Sequence, residues 1–183
     1  MLPLAILALL ALLFIAGSSQ IMPSLIGMMR TSPQGRNEII RHEGIRYEPY
    51  RDTAGYWTIG VGHKIIPGDG VPHINGIPQP IDETLLMTLF ETDLNNAENA
   101  IRRHVRVPLS QGQFDALVDF IYQFGPGAFA GSTLLKTLNT GNYPGAAAEF
   151  KRWIYVTNPV TKVKAPDNGL IARRNDNVRT FLA

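Results

Sequence analysis

Glu43, followed nine residues later by Asp52-Thr53-Ala54-Gly55-Tyr56-Trp57-Thr58-Ile59-Gly60-Val61-Gly62-His63, is the stretch whose reading decides the fold. The residues before Glu43, from Gln34 onward, carry a short polar-apolar pattern around Ile39 and Ile40, with Ser32 or Asn37 near its start. Gly44 is a natural stop, so the pattern predicts a short helix ending on an acid. Residues 47–66 are rich in Tyr, Thr, Trp, Val and Ile with interposed glycines, the signature of a small hairpin or three-stranded sheet. One carboxyl therefore stands at a helix end and the other at the entry to a sheet. Such a pair suits hydrolysis, where one acid protonates a leaving oxygen while the other activates or orients water. Thr58 supplies a hydroxyl to hold that water. Spacing alone does not single these residues out, because Glu38, Glu48 and Asp69 are acidic too.

Outward from this stretch, residues 67–80 hold Pro67, Gly68, Gly70, Pro72, Gly76, Pro78 and Pro80, which predicts a loop or irregular strand through which no helix can run. Asp82 is a plausible N-cap for a long helix to about His104, because Leu85, Leu86, Leu89, Phe90, Leu94, Ala97 and Ile101 recur at three- and four-residue steps. Ser110 caps a second helix with Phe114, Leu117, Val118 and Ile121 on one side, ended by Gly125-Pro126-Gly127. Two shorter helices, Thr133 to Asn139 and Tyr143 to Trp153, and a last one over about Ile171 to Phe181 complete the chain. A small mixed lobe is thus followed by a helical one.

The 183 residues are 45% apolar, with 17% charged and no cysteine, which fits one ordinary domain and excludes disulfide-stapled and cysteine-ligated metal proteins. His42, His63, His73 and His104 lack a helical metal-binding spacing, so a dedicated metal site would need carboxylates from scattered places, and none is expected. No cofactor is expected either. Residues 105–183 carry nine Lys/Arg against five Asp/Glu, whereas residues 30–104 carry eight against ten. That basic last third suits an anionic polymer or a membrane surface. No arginine-lysine run or aromatic-basic alternation accompanies it, so nucleic acid is not expected as a partner.

Residues 1–29 contain no ionisable side chain, and Leu2 to Gly17 is apolar all round. Such a stretch belongs in lipid, a translocon or a protein groove. It reads as an export signal or releasable membrane anchor, or as a helix docked in an assembly such as a phage tail. The first basic side chain is Arg30, so the positive start usual in a cleavable signal peptide is missing.

The full string resembles the catalytic signature of the phage-type lysozymes, the family of the phage T4 enzyme, in residue type and spacing. The resemblance continues through Phe90-x-x-Asp93, Phe114-x-Ala116-Leu117-x-x-Phe120, Gln123-x-Gly125, Ser132-Thr133-Leu134, Phe150-x-x-Trp153 and Gly169-Leu170-x-x-Arg173-Arg174. It covers about residues 34–183. What it implies is an α+β, lysozyme-like fold: a small β-containing lobe at about 44–80, a long helix at about 82–104 and a larger helical lobe at 105–183, all within a lysozyme domain spanning 30–183. It also implies a glycoside hydrolase that cleaves the β-1,4 bond between N-acetylmuramic acid and N-acetylglucosamine in peptidoglycan.

By the same resemblance, Glu43 is the general acid, Asp52 the base or electrostatic partner, and Thr58 the residue that places the attacking water. Room for a water between two carboxyls is the inverting arrangement. Arg173 matches the family's arginine that pairs with the glutamate and is grouped with Gln123 as substrate-facing. His63 and Asp93 match a structural pair that ties the small lobe to the long helix. The position before the glutamate is His42, where the phage T4 enzyme has an aspartate. The expected role is that of a monomeric phage endolysin, held at the host inner membrane through residues 1–29 and acting in the periplasm; the alternative is a virion- or tail-associated lysozyme.

Overall fold

The computed structural model describes residues 26–158 and 161–183. Residues 1–25, and with them most of the expected anchor, lie outside the described residues. Among those described, no helix is long and apolar enough to cross a membrane.

Helix α1 (Pro33–Glu43) starts where Ser32 accepts a hydrogen bond from the Gly35 amide and ends at Gly44, whose φ of 75° is open to glycine without strain. Three antiparallel strands follow in spatial order β1 (Arg46–Arg51), β2 (Trp57–Gly60) and β3 (His63–Lys64). Tyr50 pairs with Thr58, and Ile59 with His63. Residues 67–80 are not wholly irregular, since β4 (His73–Ile74) and β5 (Ile77–Pro78) form a two-stranded hairpin. Proline fits there because the hairpin is free on its outer edge.

Helix α2 (Glu83–His104) is capped by Asp82, and its 22 residues span about 33 Å. Its buried face carries Leu86, Leu89, Phe90, Leu94, Ala97 and Ile101, as the periodicity predicts. Helix α3 (Gln111–Gly131) begins in a reciprocal capping box between Ser110 and Gln113. Every residue from Phe114 to Ile121 is buried, so α3 is enclosed on all sides instead of showing one apolar face. The expected stop at Gly125 is a break with φ 82° and ψ 160°, after which Pro126 restarts the helix to Gly131.

Helices α4 (Thr133–Asn139) and α5 (Tyr143–Phe150) lead to a second hairpin absent from the sequence reading, β6 (Tyr155–Thr157) with β7 (Lys164–Pro166). Trp153 lies beyond the end of α5. Helix α6 (Asn168–Leu182) begins three residues earlier than expected because Asp167 caps it, accepting from the Leu170 amide.

The core of the helical lobe is built on Phe120, whose ring meets those of Phe124, Phe129, Phe150 and Trp153 at centroid distances of 5.0–6.4 Å. Helices α3 and α6 approach so closely that a Cβ on Gly112 would collide with the Thr180 carbonyl oxygen. At the other side of the domain, two buried carboxylates fasten the entry of the chain. Glu98 on α2 accepts from the Thr31 amide at 2.8 Å and hydroxyl at 2.9 Å, and Asp115 on α3 accepts from the Ser32 amide at 3.0 Å and hydroxyl at 2.5 Å.

The small lobe is tied to α2 by His63, which lies 2.8 Å from Asp93 through Nδ1 and 3.3 Å from Asp69 through Nε2. Burial acts to lower the His63 pKa, but the Asp93 and Asp69 carboxylates outweigh it and the net shift is upward. For Asp69, burial acts upward and is outweighed by the Val71 and Ile66 amides and by His63, so its pKa falls below the ordinary value. A histidine whose folded pKa is raised contributes its stability in full below the unfolded value, and loses it as pH rises through the folded one; the depressed Asp69 loses its share as pH falls through its own. The difference in melting temperature between the wild type and His63→Asn should therefore be largest near about pH 5 and shrink toward about pH 9. A difference that stays constant over that range would remove the charge contribution.

Candidate active site

Glu43 is the last residue of α1, and its position is set from two sides. Arg173, 5% exposed on α6, donates from Nη1 to Glu43 Oε1 at 2.7 Å. On the other side lies Gly62, where a Cβ would come within 2.9 Å of Glu43 Oε2. The backbone there has φ 68°, so both the conformation and the space call for glycine. The acid is thus clamped at one oxygen, and the other faces the Gly62 turn.

Behind Glu43 stands a buried carboxylate that the sequence reading did not single out. Asp119 on α3 accepts from Arg173 Nε at 3.1 Å and Nη2 at 2.9 Å and from Asn177 Nδ2 at 2.7 Å, with His42 Nδ1 at 3.0 Å. Burial alone would raise its pKa, yet the His42 hydrogen bond, the Arg173 charge and Asn177 hold it far below the usual carboxylate range. A signal for it exists in the sequence: Asp115 and Asp119 are one helical turn apart in an otherwise apolar run. An acid in such a run is expected to be paired.

Asp52 opens the turn between β1 and β2. Its Oδ1 accepts from the amides of Ala54 at 2.9 Å and Tyr56 at 2.8 Å, and neither amide uses Oδ2. Thr58, buried in β2, donates its hydroxyl to the Tyr56 carbonyl at a long 3.3 Å. Its lone pairs remain to accept from water. Tyr50, across the strand pair from Thr58, links the two acids electrostatically: burial raises its phenol pKa, Arg46 opposes, and the negative charges of both Glu43 and Asp52 add to the rise. Tyr122 reports on the same field from α3. Its hydroxyl donates to the Val61 carbonyl at 2.6 Å, and burial, with Asp93 and Glu43 nearby, pushes its pKa far up.

Two depressions flank this constellation. One of about 430 Å³ is lined by Gly62, Lys64, Asp93, Asn96, Tyr122 and Gln123, and adjoins Glu43 through Gly62. The other, of about 480 Å³, lies between Thr53 and Ala54 of the Asp52 turn and Val156, Val163 and Asp167 of the second hairpin and the α6 cap. Gln123 lines the first depression, where its Oε1 accepts from Arg174 Nη2 at 2.7 Å, leaving the Nε2 hydrogens for the groove. Burial pushes the Arg174 guanidinium down to about 10, still charged at neutral pH. Arg173 meets Glu43 and Asp119 in the interior and does not line either depression. His63 and Asp93 meet each other at the lobe junction.

The profile of the family described as phage lysozyme matches residues 40–177. The endolysin of Salmonella phage P22 is 42% identical over 128 residues, covering 69% of this chain and 84% of the relative. The SAR-endolysin of Escherichia phage Mu is 40% identical over 139 residues, covering 76% and 73% of the two chains. Among solved structures, the endolysin of Escherichia coli O157:H7 phage FAHEc1 superposes with a TM-score of 0.70 at 32% identity, covering 85% of this chain and 94% of that one. With the site geometry and these matches together, the chain belongs to the phage lysozyme family.

Proposed function

We infer that this chain is a muramidase that cleaves the β-1,4 linkage of peptidoglycan and acts as a phage endolysin, with Glu43, Asp52 and Thr58 as the catalytic residues. The observation that carries this reading is the clamp on Glu43. With Oε1 taken by Arg173, the other oxygen, Oε2, lies against Gly62, and Gly62 lines the first depression. Oε2 is the one that delivers the proton to the glycosidic oxygen, whose bond to the sugar breaks as the proton arrives. Asp52, fixed through Oδ1, turns the remaining carboxylate oxygen to the developing positive charge or to the attacking water. Thr58 accepts one hydrogen of that water. Gln123 donates to sugar substituents in the first depression.

Arg173 acts through Glu43 and is a positioning residue. The surplus of basic side chains in residues 105–183 favours approach to an anionic wall. Residues 1–29 hold the enzyme at the inner membrane until release into the periplasm. The SAR-endolysin names of relatives such as that of phage Mu support this localisation.

Glu43→Gln, with its fold verified by circular dichroism, should lose about 10²–10⁴ in the rate of clearing purified cell walls, the scale of a general acid. Normal clearing would remove the acid assignment. Gly62→Ala should lower the clearing rate at least about tenfold while leaving a folded protein about 1 kcal/mol less stable, because its Cβ displaces Oε2 and its φ is unfavourable; unchanged activity would place Oε2 away from the reacting bond. Inversion is read by nuclear magnetic resonance on the freshly released reducing end, which should appear first as the α-anomer. In fractionated cells the full chain should sediment with the inner membrane before lysis. Co-purification with virions instead would favour the tail-associated role.

A further inference from the structure

Side chains from α1 and α6 bring three acceptor atoms together around the Arg41 guanidinium. Glu38, His42 and Asp176 each offer one ligand atom, these atoms lie within 4.8 Å of one another, and His42 Nε2 and Asp176 Oδ2 are 3.3 Å apart. Neighbouring ligands of a tetrahedral zinc ion at 2.0–2.1 Å are separated by roughly that distance, about 3.3–3.4 Å. The ion's place is already taken by a positive charge. Arg41 Nη2 stands 2.5 Å from Glu38 Oε2, 2.5 Å from Asp176 Oδ2 and 3.0 Å from His42 Nε2. Arg41 Nη2 and Asp176 Oδ2 both approach His42 Nε2, while Nδ1 faces Asp119 at 3.0 Å, so the tautomer with its proton on Nδ1 leaves the Nε2 lone pair open to a cation. A carboxylate holding the far nitrogen of an imidazole is the arrangement that orients histidine as a metal ligand.

A second observation stands outside this cluster. Asn177, 3% exposed, spends its Nδ2 on Asp119, and its buried Oδ1 has no partner among the described residues. Asn177 lines the same small depression as Glu38, His42 and Asp176, whose volume of about 20 Å³ is enough for one water. A buried carbonyl beside a one-water space suits a strong donor such as a metal-bound water.

We propose that Glu38, His42 and Asp176 form a binding site for a divalent cation of the zinc class, with Arg41 as a built-in competitor that occupies the ion's place when the metal is absent. Borderline nitrogen and oxygen donors favour zinc over magnesium or calcium, which take oxygen alone. The Arg41 side chain is 55% exposed, so it swings into solvent without disturbing the core. A fourth ligand, water, completes the tetrahedron and donates to Asn177 Oδ1. The sequence alone led to no expected metal site, because the histidines lack a helical ligand spacing; these three ligands come instead from both ends of the chain. Asp119 lies between His42 and Arg173, so the ion sits two residues behind the partner of Glu43.

The test is calorimetric titration of the detergent-purified full chain with zinc chloride, with magnesium chloride as control, and visible spectroscopy with cobalt(II) as the geometric probe. Expected are one saturable zinc site with a Kd below about 100 μM, no saturable magnesium binding, and the intense bands of tetrahedral cobalt. Arg41→Ala should tighten zinc at least about tenfold, and Asp176→Asn and Glu38→Gln should each weaken it about 10–100-fold, all three being checked for an intact melting transition. Absence of saturable binding overturns the proposal. So does zinc affinity unchanged in Asp176→Asn and Glu38→Gln, which assigns the ion to His73 or His104, and so does an Arg41→Ala chain that binds no more tightly than the wild type.

Discussion

The buried carboxylate of Asp119 is the constraint on which the rest of the active region depends. Its burial would cost several kcal/mol if it were unpaired, and that cost is offset only while Arg173, Asn177 and His42 are all in place. Those partners come from α6 and α1, whereas Asp119 itself comes from α3. One ionic centre therefore fixes the mutual rotation of three helices. Its fold-wide reach comes from the enclosure of α3, where eight consecutive residues have no solvent side to turn to.

The same centre determines where the acid stands. Arg173 divides its guanidinium, Nε and Nη2 going to Asp119 and Nη1 to Glu43, so the geometry of the interior is passed to the groove through one planar group. A lysine could not make that division, since it offers a point charge instead of a fork. The Gly62 turn completes the arrangement from the small lobe, and His63, the next residue, bolts that lobe to α2. The two lobes thus meet the acid from two sides, Arg173 from the helical lobe and the Gly62 turn from the small one.

Much of this was legible in the chain. The three- and four-residue steps from Leu85 to Ile101 gave α2 to within a residue, because a long amphipathic face against a core imposes its period. The string from Glu43 to His63 carried the small sheet and the candidate acids. Other parts left little trace for physical reasons. The strands at 155–157 and 164–166 are exposed on both faces, so burial imposes no alternation on them. Gly125 and Pro126 read as the end of a helix, but proline at a first helical position begins one just as well. Asp119 stands out as an acid in an apolar run, but its partners were hidden because they lie 77 residues upstream at His42 and more than 50 downstream at Arg173 and Asn177. Only folding brings them together.

The fastening of residues 31 and 32 by Glu98 and Asp115 has a mechanical meaning. Helix α1 begins at Pro33 and delivers Glu43 at its far end, so without restraint any load entering from the preceding segment would run straight along the helix to the acid. Four hydrogen bonds to two separate helices intercept that load at the two residues immediately before α1. They work as the strain relief on a cable: a force entering ahead of Thr31 is borne by α2 and α3 before it reaches the helix that carries Glu43.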